Sequence, residues 1–398
     1  MKLLSLALSA FLLARFASAQ TTEEGWRAKA LEVYPDIGKK DSPLNAKFVA
    51  LYNERWKSDP DFFKNPKWPL LLANEVAIPS TPSAPAAATP GPSTPAPVPQ
   101  NRRRGGLGRG GRGGFDVLAS MDVPAANPLT PEKVNLGRQL FFGTMLSADR
   151  VVSCATCHDP NKAFADGRAT AHGVHGAVGA RNTPSLVNAG YGQAFFWDGR
   201  AATLEEQVLG PIFSPKEMGL TEAALQRQTG LTSAVVADAL ASYVRTIRSG
   251  DSRYDWYISG QTEVLTPIEK TGLDLFRGKG RCGRCHRGTN FTDEQFHNTG
   301  VGWQNGRFTD EGRFAVSGDP SDHGAFKTPT LREIAHTAPY MHDGSIATLE
   351  DVVEFYSQGG RSNPELDQRM RPIRFTPDEK QALVAFLKTL SGRVSEGF

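Results

Sequence analysis

The stretch SCATCHDP (residues 153–160) places two cysteines three positions apart with a histidine directly after the second, and RCGRCHRG (281–288) repeats the arrangement. The chain has four cysteines, Cys154, Cys157, Cys282 and Cys285, and all lie in these two copies. A thioredoxin-like thiol pair needs no histidine there and would leave His158 and His286 unexplained. Cysteine pairs of one zinc site usually lie ~15–20 residues apart, whereas over a hundred residues separate these. In c-type haem attachment every residue has a task. Two thiols add to the haem vinyl groups, and the adjacent imidazole becomes the proximal iron ligand. The motif reads as covalent haem c, twice, with His158 and His286 on the two irons.

The first residues suggest where such a protein works. MKLLSLALSAFLLARFASAQ has a basic start, an apolar run of signal-peptide length and a small-x-small site, Ala17-Ser18-Ala19, before Gln20. The run is short for a membrane span, Arg15 interrupts it, and no cysteine follows to make a lipoprotein. Residues 1–19 are therefore expected to be a cleaved signal peptide, and the mature chain periplasmic without an integral membrane segment. Export suits covalent haem, which is attached outside the bacterial cytoplasm.

A net charge of +3 over 398 residues identifies no partner. The local composition says more. Residues 79–99, PSTPSAPAAATPGPSTPAPVP, carry no charge and continue into NRRRGGLGRGGRGG (101–114). Neither composition builds a core, so 79–115 reads as a disordered Pro/Ala-rich and Arg/Gly-rich linker. In an exported haem protein the arginines read as a basic tether rather than a nucleic-acid binder. Residues 20–78 hold the aromatic-rich FVALYNERWKSDPDFFKNPKWPLLL and are expected to form a helical extension with no chemistry assigned.

An internal repeat organises the rest. LTPEKVNLGRQLFFG (129–143) precedes the first motif and LTPIEKTGLDLFRG (265–278) the second, each opening on Thr-Pro, a helix N-cap followed by a residue suited to the first helical turn. ALASYVRTIRSG (239–250) and ALVAFLKTLSG (382–392) close the halves as amphipathic helices. The expected fold is all-α, two tandem cytochrome c-type haem domains at 116–250 and 251–398.

Two further stretches, GARNTPSLVNAGYGQAFFWDGRAATLEEQVLGPIFSPKEMG (179–219) and FKTPTLREIAHTAPYMHDGSIATLEDVVEFYSQGG (326–360), resemble the bacterial dihaem cytochrome c peroxidase and MauG family. The resemblance runs over roughly 120–392, includes both haem motifs in order, and does not reach residues 20–115. It implies that Trp197 lies between the haems as an electron bridge. It also implies that Gln207, Pro211 and Glu217 surround the peroxide side of the first haem. Glu217 would be the acid/base carboxylate that moves a proton between the peroxide oxygens. Asn182, by its side chain, and Thr337 and Pro339, by their carbonyls, match a calcium site of oxygen ligands.

The remaining axial ligands divide the family. Peroxidases commonly close the first haem with a displaceable histidine in a glycine-rich loop, and AHGVHGAVG (171–179) offers His172 and His175, of which His175 fits the place better. MauG-type members leave that iron open. On the second haem the family's methionine is replaced here by Tyr356, as in MauG, with Met341 the competing ligand. Gly280 stands where MauG carries a tryptophan that draws electrons from its protein substrate, so that substrate is not implied.

The expected activity is reduction of hydrogen peroxide by a cytochrome-c peroxidase, with a small soluble cytochrome c or cupredoxin as donor. Oxidation of a protein or organic substrate, and electron carriage without peroxide turnover, are the competing readings. No nucleic-acid partner is expected, and self-association as a homodimer is left open.

Overall fold

A computed structural model describes residues 22–64, 68–77 and 121–397. The leader and linker expected at 1–19 and 79–115 lie outside the described residues.

The three N-terminal helices are α1 (Glu23–Val33), α2 (Pro43–Ser58) and α3 (Trp68–Ala77). Ala30, Tyr34, Ile37, Ala73 and Val76 join the hydrophobic core of the following haem-motif half. The aromatic run forms a ring cluster, with Tyr52, Trp56 and Trp68 all within 6.0 Å of Phe63 or of one another. Trp56 remains 55% exposed.

The first half contains α4 (Pro131–Phe142), the one-turn α5 (Cys154–Cys157), α6 (Leu204–Phe213), α7 (Glu222–Thr229) and α8 (Ser233–Thr246). The second contains α9 (Arg253–Ile258), α10 (Pro267–Arg277), the short α11 (Phe314–Ser317), α12 (Leu349–Ser357) and α13 (Pro377–Lys388). Thr130, Thr266 and Thr376 cap α4, α10 and α13 ahead of a proline, and Glu269 and Glu379 close capping boxes on the latter two. Each opening helix crosses its closing helix at a glycine. A Cβ on Gly137 would lie 1.9 Å from the Ala239 carbonyl oxygen, and one on Gly272 1.9 Å from that of Ala382. Only glycine lets these backbones meet.

Strands are short and antiparallel: β1 (Arg248–Gly250) with β6 (Arg393–Ser395), β2 (Phe296–Asn298) with β5 (Ala325–Lys327), and β3 (Trp303–Gln304) with β4 (Arg307–Phe308). The first pair carries the chain end back onto the first half, where Glu396 meets Arg138 at 3.4 Å and the Gly397 N–H donates to Thr246 Oγ1 at 2.8 Å. The sequence pattern placed these residues with the second half. Their backbone groups are instead satisfied along β1, at the seam. Among the described residues no helix is long and apolar enough to cross a membrane.

The seam has an internal two-fold relation. The Asn182 N–H donates to the His342 carbonyl at 2.7 Å, and the Lys327 N–H donates to the Trp197 carbonyl at 2.8 Å. Aligning RNTPSLVN (181–188) with FKTPTLRE (326–333) pairs Asn182 with Lys327; aligning FFWDGRAATLEE (195–206) with YMHDGSIATLED (340–351) pairs Trp197 with His342. Backbone agrees: Phe196 and Met341 both adopt φ > 0, as do Asn188 and Glu333.

Candidate haem sites and the seam between them

Both motif histidines are held alike. His158 Nδ1 lies 3.0 Å from the Phe164 carbonyl oxygen and His286 Nδ1 2.9 Å from that of Phe291. A carbonyl only accepts, so Nδ1–H donates and Nε2 is left as the ligating atom, which is the arrangement an axial imidazole needs. Phe164 (φ 58°) and Phe291 (φ 52°) reach this position through left-handed backbone. Burial pushes both imidazoles down in pKa, towards the neutral form that binds iron. The thiols move the other way. Burial pushes Cys154 and Cys282 up to about 12 and Cys157 up to about 11. Redox-active thiol pairs have depressed values, so the local chemistry disfavours the thioredoxin-like reading and suits thiols waiting for a covalent partner.

A cavity of about 370 Å³ gathers Cys282, Cys285, His286, Tyr356 and Met341 from the second half with Trp197 and Gln207 from the first. Burial, and then the nearness of Cys282 and Cys285, drive the Tyr356 phenol well above its ordinary pKa. Tyr356 thus lies close to both attachment points. Met341 lines the same cavity.

One wall of this cavity is the seam. Trp197 Nε1–H donates to the Asn182 carbonyl at 2.9 Å, and the next peptide link runs from Asn182 N–H to His342. Arg181 locks the halves together, bonded to Asp198 at 2.6 Å and by a two-toothed contact to Asp310 at 2.6 and 2.8 Å. Asn182, Thr337 and Pro339 all line the cavity. Asn182 commits its amide nitrogen to the Arg168 carbonyl at 2.7 Å, which does not compete with its oxygen as a ligand. One amide oxygen and two carbonyl oxygens are a neutral, hard donor set that fits calcium. His342 is 4% exposed, stacked on Phe326 at 3.5 Å, and its Nε2 has no hydrogen-bond partner among the described residues. A wall built around a group with polar edges explains such an orphan.

The first motif has a different neighbourhood. Glu217 is half-buried and close enough to Cys157 to help raise its thiol, after burial and Asp166. Its carbonyl accepts from Val174 N–H at 2.8 Å, and a Cβ on Gly173 would come within 2.6 Å of Glu217 Cα. The glycine loop is therefore packed onto the Glu217 segment, and Val174 takes its buried side. His172 and His175 are both exposed, and His175, at φ 53°, is fixed by its N–H to Asp149 at 3.3 Å. Met218 is buried, with its N–H on the Pro211 carbonyl at 3.0 Å.

Some site features escaped the sequence reading. His342 could have been found from the TLE-anchored repeat that pairs it with Trp197. The Phe164 and Phe291 carbonyls left no signal, because a backbone acceptor is independent of side-chain type. The cluster of Cys285, Asp293 and His297 has the residue types of a metal site. A thioether at Cys285 would remove one ligand, and His297 is already engaged by Asp293 at 3.0 Å and Asp367 at 2.8 Å.

Residues 131–263 match the family model for di-haem cytochrome c peroxidase. The chain is 38% identical over 289 residues to the methylamine utilization protein MauG of Methylorubrum extorquens, covering 68% of this chain and 81% of that protein. It is 34% identical over 304 residues to the cytochrome c551 peroxidase of Nitrosomonas europaea, covering 69% and 88%. Among solved structures it is similar to a MauG-like protein associated with microbial copper homeostasis, with TM-score 0.64, 38% identity, and coverage of 68% and 92%. The diheme peroxidase BthA of Burkholderia thailandensis gives TM-score 0.59 at 27% identity, covering 70% and 89%. Two repeated haem motifs, the seam tryptophan and these relatives lead to one conclusion: the chain belongs to the di-haem cytochrome c peroxidase and MauG family of peroxidase oxidoreductases.

Proposed function

We propose that this chain is a periplasmic peroxidase that reduces hydrogen peroxide to water on its first-half haem, using electrons from a small soluble redox protein that enter through the second. The observation that carries this reading is Glu217, whose half-buried carboxylate lies near the Cys157 attachment point and whose backbone carbonyl is held by the Val174 N–H. Bound haem supplies an iron that takes up peroxide and passes electrons; His158 and His286 would hold the two irons through Nε2. Glu217 accepts the proton of the incoming peroxide and returns it to the departing oxygen. Trp197 joins the halves, its ring orientation fixed by the Asn182 carbonyl. Asn182, Thr337 and Pro339 would hold calcium and stiffen the seam.

Tyr356 is proposed as the second haem's other ligand, and no histidine for the first, since the loop buries Val174 and exposes His175. These two features favour a MauG-like oxidation of some other substrate as the second reading. Against MauG's own route, a Cβ at Gly280 would lie 2.8 Å from the Leu275 carbonyl oxygen, so a tryptophan there would require the backbone to move.

Steady-state peroxide consumption by the haem-loaded chain with a chemical reductant tests the reading. Glu217→Gln removes the titrating group and is expected to lower turnover by ~10²–10⁴-fold at unchanged haem content. Turnover within threefold of wild type removes Glu217 from the mechanism.

A further inference from the structure

The two haem motifs differ sharply in charge. RGKGRCGRCHRG (277–288) holds Arg277, Lys279, Arg281, Arg284 and Arg287 with no acid, whereas DRVVSCATCHDP (149–160) holds Arg150 against Asp149 and Asp159. Folding adds to the excess. Arg281, Arg284, Arg369 and Arg371, with Gln368, line one shallow depression, and the same four arginines stand on the rim of the second-half cavity. All four are exposed. Of these four, only Arg369 has a carboxylate partner among the described residues, Asp367 at 3.0 Å. Lys279 is already taken by Glu379 at 2.6 Å.

Haem chemistry sets what these arginines face. A haem bonded at Cys282 and Cys285 turns its vinyl-derived edge towards those cysteines and carries its carboxylates on the opposite edge. Arg281 and Arg284 flank the cysteines in sequence, so they would lie by the thioether edge of such a haem rather than serve as counter-ions for its carboxylates. Uncompensated positive charge around an exposed opening attracts and orients an anionic surface.

We propose that this arginine rim is the docking surface for the reductant, a small one-electron redox protein with an acidic face around its own centre. The inference deepens the peroxidase reading and rests on it. Each peroxide takes two electrons and two protons: the O–O bond breaks, two waters form, and two partner molecules are each oxidised by one electron.

The test uses the full haem-loaded chain with an acidic plastocyanin and a basic mitochondrial cytochrome c as probes. Isothermal titration with each donor oxidised reads docking without turnover, and peroxide-dependent oxidation of each reduced donor gives kcat/KM. The acidic donor is expected to bind at least about tenfold more tightly at low salt, and to lose on the order of tenfold towards physiological ionic strength. In the double variant Arg284→Glu/Arg371→Glu the preference for the acidic donor disappears. In Arg284→Lys/Arg371→Lys it is retained, which separates charge from misfolding. Preference for the basic donor, or a preference unmoved by the charge reversal, overturns the proposal. So does a charge-reversed protein whose second-haem reduction potential shifts while donor preference stays, since the arginines would then serve the haem. Anionic phospholipid vesicles bound as tightly as the acidic donor, with the same dependence on Arg284 and Arg371, would assign the rim to a membrane surface instead. Absence of peroxide consumption with a small chemical reductant would sink the peroxidase reading alone, because the titration still reports docking.

Discussion

The two halves hold His158 and His286 alike and differ in the residues around them. Both Nδ1 atoms donate to a left-handed phenylalanine carbonyl, and both helix crossings turn on a buried glycine. Seven residues beyond Leu204 the first half has Pro211, and seven beyond Leu349 the second has Tyr356. A proline offers no ligating atom; a phenol does. In the proposed reading, the same scaffold position would leave the first iron to the chemistry of Glu217 and offer the second a protein ligand, Tyr356. The repeated frame is alike in the two halves, and the side chains it presents differ.

The most severe way to break this comparison is to remove one haem at a time. Cys154→Ala is expected to abolish stable loading of the first half only, and Cys282→Ala of the second only, each leaving about one haem by mass after denaturation. Loss of both haems from a single substitution would show that the halves do not load independently.

A smaller effect separates the halves by their packing. Arg332 and Asp255 form an ion pair at 2.6 Å with both side chains fully buried, and Arg332 also donates to the Thr289 carbonyl at 2.7 Å, in the loop that leads to Phe291. The first half has Val187 at the matching position. Arg332→Met leaves Asp255 buried and unpaired and is expected to cost about 3–5 kcal/mol, read by denaturant melts. A cost below 1 kcal/mol (roughly a surface pair's worth) would show the pair to be replaceable.

The halves should also differ in pH response. Burial opposes charge on His297, but hydrogen bonds and charge from Asp293 and Cys285 together push the imidazole up to about 10; thioether formation at Cys285 removes its share and leaves the upward push of Asp293. Burial raises Asp293, but the hydrogen bonds from His297, Gln295 and Thr328 together with the His297 charge outweigh it and lower the carboxyl to about 2. A raised histidine stabilises fully below its unfolded pKa of about 6.5, and that stability is lost as pH rises through the folded value. The depressed Asp293 stabilises above about pH 4, and its contribution is lost as pH falls towards 2. The second half is therefore expected to lose melting temperature on the alkaline side, and His297→Gln to flatten that slope. An alkaline slope unchanged by the substitution would place its origin elsewhere.

The mildest expected result is at His175. His175→Ala should leave the spin state of the first haem unchanged, because the exposed side chain is not the residue its loop buries. Conversion from low to high spin by electron paramagnetic resonance would restore His175 as a ligand.

Much of this molecule was legible from spacing. Cys-x-x-Cys-His points to both haem anchors, because covalent attachment demands those atoms within one turn of chain. Thr-Pro starts and amphipathic closing helices define both halves through local propensity. The tertiary structure alone decided that β6 returns to β1, that Val174 rather than a histidine is buried in the glycine loop, and that the Trp197 and His342 carbonyls accept from Lys327 and Asn182 across the seam. It also decided that arginines ninety residues apart share one rim (Arg281 with Arg371). Each of these depends on contacts between segments distant in sequence, where the partner's identity is a matter of three-dimensional register. A local pattern records which side chains can do chemistry; only the packed chain settles which of them face the same space.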